Sequence, residues 1–554
     1  MMNENLFNHD LLDRHLAAFL ADRSGLAEPG RGHFRTLVAD LSAAMAGGHV
    51  CLPVTAAEAA MLDGSPMAGD GSRPTPLVVA GGRLYLHRYY RYERRLADQL
   101  LRLAGERHHA DALEGLLDSG FPAAGAADRQ RQAARLALTR SLVLVTGGPG
   151  TGKTYTVARV LALLLRLHGP GLRLALAAPT GKAAMRLSES IAAGTSGLDF
   201  APELLAAVPA KASTLHRLLG VRPDSSQFRH DAGNPLPADV VVVDEASMID
   251  LALMARLVDA LGPGGRLILL GDRDQLASVE SGAVLADCCQ ALTDNTVELD
   301  RSFRFDEGIG MFATLVNGRD ADGAWDMLEA ARPGNVSLLQ DDFPVYAVAR
   351  YREYMEAAVR VESDEGIREL FTLLGRFRVL CAVRQGAQGT MAVNAAIEHG
   401  LRQAGIAVGS GEAWYPGRPV MVTSNDYNLE LFNGDVGICL PDRSAGGRGM
   451  VWFERPDGSL RSLLPGRLPQ CETVYAMTVH KSQGSEFDEV LVVLPEHDSQ
   501  VLSRELVYTA VTRARKAVRV AGRREIMAAA IGRTLSRNSG LSAMLAGGTG
   551  GGAV

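Results

Sequence analysis

The chain is short of cysteine, of aromatic residues and of positive charge, and each shortage removes a class of protein. Cys51, Cys288, Cys289, Cys381, Cys439 and Cys471 are its only cysteines in 554 residues, scattered and without a C-x-x-C pair. That pattern argues against a disulfide scaffold, structural zinc or an iron–sulfur cluster, and for buried thiols. No window approaches the roughly 18 uncharged apolar residues that a membrane helix needs. The opening MMNENLFNHD lacks a cationic start followed by an apolar core, so a cytoplasmic location is expected. A net charge of −6 does not by itself suggest a nucleic-acid partner, but phosphate contacts need only a local positive groove. Aromatics at 5% leave few rings on which bases could stack.

Against these shortages stand 47% hydrophobic residues and a length that allows roughly three to four domains. The most specific string is GGPGTGKT at 147–154. Gly147, Gly148, Gly150 and Gly152 carry no Cβ, so with Pro149 and Thr151 they let successive backbone N–H groups turn inward around a pyrophosphate. The apolar run 142–145 ahead reads as a buried strand, and 155–167 behind as a helix whose positive end faces the phosphates. Lys153 supplies a mobile ammonium for β and γ oxygens, and Thr154 a hydroxyl ligand for magnesium. The other reading is a glycine-rich turn with an incidental lysine. Residues 239–244 form a β-branched run ending in an acid, which reads as a parallel strand opening onto a ligand crevice. Asp244 is expected to hold magnesium there and Glu245 to orient or deprotonate the attacking water. The bland alternative is the polar edge of a strand. ATP and Mg2+ are the expected ligands.

Periodicity divides the rest into two α/β blocks with parallel sheets. Apolar runs at 142–145, 172–178, 240–243 and 267–270 alternate with helical stretches in the first, and 378–383, 474–479, 490–494 and 518–521 do so in the second. Between 409 and 470, turn signals such as Asn433-Gly434-Asp435 punctuate short strands, which reads as a small β-barrel inserted into the second block. Residues 221–236 have the turn material of a hairpin. The expected boundaries are a mostly helical 1–122, with 123–128 as linker, a first lobe 123–300, a second lobe 301–408 with 471–546, and a flexible tail 547–554.

Further strings follow in order: APTGKAAMRL at 178–187, STLHRLLG at 213–220, LLGDRDQL at 269–276, DRSFRF at 300–305, YAMTVHKSQGSEFDEV at 475–490 and LVYTAVTRARK at 506–516. LLGDRDQL contains Asp272 and Gln275, whose amide could sense a γ-phosphate. In order and wording these strings resemble superfamily 1 DNA helicases of the branch that moves 5′-to-3′ on single strands. With HVCLPV, LYLHRYYRYERR and NDYNLELFNGDVGI added, the resemblance extends over nearly the whole chain to the RecD family, the alpha subunits of exodeoxyribonuclease V (RecBCD).

The resemblance implies two RecA-like P-loop NTPase lobes, a helical N-terminal partner-docking domain and an SH3-like β-barrel insertion. It implies an ATP-dependent single-stranded DNA translocase that works beside RecB and RecC in double-strand break repair by homologous recombination. Nuclease activity would lie in a partner, since no Asp/Glu/Lys cluster here resembles a nuclease centre. On single residues, it puts Gln130, which reads equally well as an ordinary surface glutamine, against the adenine ring and sends Arg304 and Arg513 across the cleft to the γ-phosphate. Arg513 is thereby set apart from the other basic residues of 504–537, which read as a solvated face. Thr180, Thr214, His216, Thr478 and His480 would face the DNA strand; each reads equally well as a cap or a satisfied buried polar group. Relatives carry a duplex-splitting pin where 221–236 stands, which is otherwise a surface loop. Tyr85, Tyr89, Tyr90 and Tyr92, interleaved with Arg88, Arg91, Arg94 and Arg95, are either a docking face for a large partner or half-buried helix core. Free-standing relatives carry N-terminal helix-hairpin-helix repeats, and none is found in the first 120 residues. A self-sufficient helicase, a non-catalytic scaffold and an RNA helicase are the rival readings.

Overall fold

A computed structural model describes residues 9–549 except 111, 122–127, 197, 199, 223, 224, 226, 279, 301–306, 332, 333, 407–412, 427, 443–446, 456, 457 and 536. Helices dominate the first 120 residues, but a small sheet sits among them. Strands β1 (Leu52–Pro53), β2 (Ala68–Gly69), β3 (Leu77–Ala80) and β4 (Arg83–Leu86) pair in the order β1-β4-β3-β2. Gly81 and Gly82 both have positive φ, 57° and 70°, the requirement of a tight turn between β3 and β4.

The first lobe is a six-stranded, wholly parallel sheet. It contains β5 (Leu142–Gly147), β6 (Leu174–Ala178), β7 (Ser213–Thr214), β8 (Val240–Val243), β9 (Arg266–Gly271) and β10 (Thr296–Leu299), in the order β10-β5-β9-β8-β6-β7. Alternation explains why its central strands are apolar throughout. Leu142, Leu144, Val241, Val243, Leu267 and Leu269 enter one core, while Val143, Val145, Val240, Val242, Ile268 and Leu270 enter the other.

The second lobe contains β11 (Val336–Leu338) and β12 (Phe377–Cys381); an insertion of β13 (Pro419–Val422), β14 (Val436–Asp442), β15 (Arg448–Glu454), β16 (Leu460–Leu463) and β17 (Cys471–Thr473) follows; the lobe then resumes with β18 (Ala476–Thr478), β19 (Phe487–Val493) and β20 (Ala514–Ala521). Its sheet is again parallel, ordered β11-β20-β19-β12-β18. The insertion is antiparallel, ordered β16-β15-β14-β13-β17, and among the described residues its edge strands β16 and β17 do not pair with each other. β17 pairs with β13, so the insertion reaches to Thr473 rather than ending at 470. In 221–236 the described residues make two isolated antiparallel bridges, Val221 with Phe228 and Asp231 with Asn234.

Packing moves two other expected boundaries. Leu117 and Phe121, placed in the N-terminal domain by sequence, belong to the first lobe's core with Leu161 and Leu164. The last helix runs Leu541–Thr549, beyond the expected start of the tail at Gly547. Its Leu541 and Leu545 join Leu96, Leu100, Leu142 and Leu285 in one core, so this segment packs on the first lobe and the N-terminal helix rather than on the second lobe. The chain returns there through Arg537, whose guanidinium donates to Glu280 O at 2.6 Å and Gly282 O at 2.8 Å. Asn538 then exchanges hydrogen bonds with Val50 N at 2.8 Å and His49 Nδ1 at 2.9 Å. No helix among the described residues is long and apolar enough to cross a membrane. Five of the six thiols are buried, and Cys471 is half-buried.

The junction of these three regions holds two carboxyls, Glu93 and Asp287. Glu93 accepts from Ser539 Oγ at 2.8 Å and Gly540 N at 2.9 Å. Burial pushes Asp287 up to about 6, with the Glu93 charge adding to it. A folded-state pKa raised above the unfolded value means that stability is complete below pH ~4 and is lost as pH rises through about 6. Asp287→Asn, which keeps the neutral shape, is therefore expected to stabilise the protein by about 1–2 kcal/mol at pH 8 and to be neutral near pH 4; denaturant melts at the two pH values check this.

Candidate active site

The loop after β5 turns through Gly147, Gly150 and Gly152 with φ of 154°, 78° and 82° and enters the helix Lys153–His168. A side chain at Gly147 would meet Leu299 O at 2.4 Å and Thr151 Oγ1 at 2.9 Å, so the loop fits against the end of β10 only with glycine there. Lys153 Nζ donates to Gly147 O at 2.6 Å and Gly148 O at 3.0 Å, inside the loop. Gln130 also belongs here: its Nε2 lies 2.9 Å from the point where a Cβ on Gly152 would stand.

Asp244 follows β8, two strands from β5, and reaches Thr154 Oγ1 at 3.3 Å. The loop after β8 can cross the end of the intervening β9 because β9 ends in Gly271, where a Cβ would sit 3.2 Å from Ser247 N. Glu245 takes a left-handed φ of 52°, and its N–H donates to Asp244 Oδ1 at 2.8 Å. A non-glycine residue in that region costs on the order of 1 kcal/mol, strain that clusters at functional sites. Burial pushes the Asp244 carboxyl up to about 6, the Glu245 charge adds to it, and Lys153 opposes both. A hydroxyl and a carboxylate are hard oxygen donors that suit Mg2+. Among the described residues no group of three or more His, Cys, Asp or Glu side chains is arranged to hold a metal ion.

From the second lobe, the helix Arg504–Val511 and the turn after it face this site. Arg513, 2% exposed, donates from Nη2 to Gln275 Oε1 at 2.8 Å. Gln275 Nε2 donates to Asp272 Oδ2 at 3.1 Å, and Tyr508 Oη reaches the same oxygen at 3.0 Å. Leu276 is the apolar plug between the lobes: it sits in the second lobe's core, its N–H donates to Thr509 Oγ1 at 2.9 Å, and its carbonyl accepts from Gln483 Nε2 at 2.8 Å. Arg304 lies outside the described residues. Tyr508 was missed by sequence reasoning, because an aromatic in an apolar helix reads as core; its place in the LVYTAVTRARK string was the available signal.

The five expected strand-facing residues lie at the carboxyl ends of parallel strands. Thr180 and Thr214 are helix N-caps, accepting from Ala183 N at 3.2 Å and Arg217 N at 3.3 Å. Thr478 accepts from Lys481 N at 3.4 Å. Desolvation lowers His216, whose ring meets Phe228 edge-on, and His480, with Arg537 pushing it further down. Burial thus disfavours the charged form of both imidazoles. Across the cleft, second-lobe Gly484 comes within 3.7 Å of Thr180 Oγ1, measured from its would-be Cβ. Of the tyrosines considered as a docking face, Tyr85 is fully buried, and Tyr92 accepts from Arg256 Nη2 of the first lobe at 3.1 Å. Arg95 pairs with first-lobe Asp259 at 2.6 Å. Tyr92 and Arg95 thus hold the helix His87–Gly105 to the first lobe.

The Gly147 geometry carries a test. Gly147→Ala is expected to cost at least about 2 kcal/mol of stability and to abolish nucleotide-induced stabilisation; an unchanged melt with ADP present would contradict the cradle described.

A profile of the AAA domain matches residues 130–281, and one of the UvrD-like helicase C-terminal domain matches residues 473–521. The RecBCD enzyme subunit RecD of Mycolicibacterium smegmatis is 44% identical over 503 residues, covering 87% of this chain and 85% of its own. Its Haemophilus influenzae counterpart is 36% identical over 534 residues, covering 85% and 81%. The ATP-dependent RecD2 DNA helicase of Deinococcus radiodurans is 35% identical over 445 residues, covering 78% of this chain and 54% of its own. With relatives this similar along most of both sequences, the chain belongs to the RecD family.

Proposed function

We propose that the chain is an ATP-driven DNA helicase subunit of a RecBCD-type complex, acting with RecB and RecC at duplex ends during double-strand break repair and moving 5′-to-3′ on single-stranded DNA. The observation that carries the reading is the bond between Arg513 of one lobe and Gln275 of the other, beside a phosphate loop that presents Lys153 and Thr154. In this reading Lys153 turns from the loop carbonyls to the β and γ oxygens, Gln130 contacts the base, and Glu245 orients or deprotonates water. Thr154 and Asp244 would hold magnesium, which neutralises phosphate charge when bound. Arg513 stabilises the charge that builds on the γ-phosphate, a role that Arg304 shares by resemblance. Because Arg513 and Lys153 belong to different lobes, nucleotide binding draws the lobes together and hydrolysis releases them. That cycle moves the strand past Thr180, Thr214, His216, Thr478 and His480. The SH3-like insertion and the 221–236 segment act in this reading as DNA grip and duplex-splitting pin.

Lys153→Ala is expected to leave the fold intact and to cut single-strand-stimulated ATP turnover by about a thousandfold or more. Strand displacement on duplexes with a single 5′ or a single 3′ overhang reads the polarity. Displacement from the 3′ overhang alone, or full activity of the Lys153 variant, would overturn the mechanism. Co-migration with the two larger subunits in size-exclusion chromatography tests the partners.

A further inference from the structure

Gln275 is held at both ends, its amide N–H on Asp272 and its amide oxygen under Arg513. To face a γ-phosphate it must let go of at least one. If it turns its amide N–H away, it leaves Asp272, a carboxyl only 2% exposed, with Oδ2 one donor short. A buried carboxylate in that position is strongly disfavoured. The second lobe supplies a replacement that does not move with Gln275. Tyr508 Oη also sits on Asp272 Oδ2, at 3.0 Å, and lies 3.1 Å from the would-be Cβ of Gly148 in the phosphate loop. Asp272 Oδ1 keeps its own donor, Asp274 N, at 3.0 Å.

We infer that Tyr508 is a positioning residue for ATP turnover: its hydroxyl holds Asp272 when Gln275 exchanges partners, and it does so only while the lobes are together. The inference rests on the ATPase reading above and adds to it a second-lobe group that acts through a first-lobe carboxyl. The penalty for losing the hydroxyl falls on the exchange step and spares nucleotide binding.

Tyr508→Phe keeps the ring in the core and removes only the hydroxyl. In the full chain, its single-strand-stimulated kcat is expected to fall about tenfold, with KM for ATP within about twofold of the parent. An amide at position 272 tolerates a missing donor better than a carboxylate does. Asp272→Asn combined with Tyr508→Phe should therefore turn over no more slowly than Tyr508→Phe alone. A Tyr508→Phe kcat within about twofold of the parent, losses that multiply in the double variant, or a melting midpoint that drops in step with activity would each overturn the inference. A parent chain that hydrolyses no ATP would instead sink the ATPase reading itself.

Discussion

Asp272 is the constraint on which the cleft depends. It is a buried carboxyl at the contact of the two lobes, with a donor from each. Burial raises its pKa, while the nearby Lys153 charge pulls it down, so the energy of this one group responds both to the phosphate-loop lysine and to the approach of the second lobe. On the function proposed above, a carboxyl held by donors from both lobes beside the phosphate-loop lysine links nucleotide chemistry to lobe position through direct contacts.

The rest of the lobe interface has the character that such a cleft needs. Lys182 donates to Ser485 at 2.9 Å, Arg186 pairs with Glu486 at 3.2 Å and Arg504 with Asp274 at 3.6 Å. These are directional contacts that water can replace when the lobes part, and the apolar contribution is concentrated in Leu276. Within each lobe the opposite holds, with both faces of each parallel sheet sealed by apolar cores.

How much was legible in the sequence follows from what each signal measures. The central strands were readable because a parallel strand covered on both faces must be apolar at every position, as in 142–145 and 240–243. The edge strands β7, β10 and β11 are short or half-covered and gave no such run. The phosphate loop was readable because backbone conformation restricts residue type, and Gly147 has no substitute against Leu299 O. The Gly81-Gly82 turn carried a similar signal within a region that otherwise read as helix. What sequence could not give was partnership across long separations. Nothing in the string around Tyr508 says that its hydroxyl is committed to a carboxyl 236 positions away. Nor does a leucine-rich C-terminal helix say which lobe it will join; Leu541 and Leu545 find their partners in Leu96, Leu100 and Leu285.

That return of the C-terminal segment has a mechanical consequence. The polypeptide leaves the first lobe after Leu299, and comes back to it at Arg537, where Glu280 and Gly282 of the first lobe, with His49 and Val50 of the N-terminal region, receive it. The second lobe is therefore bracketed in the chain by segments that both end on the first, so any displacement of one lobe against the other has to be accommodated at two crossings of the polypeptide and not at one.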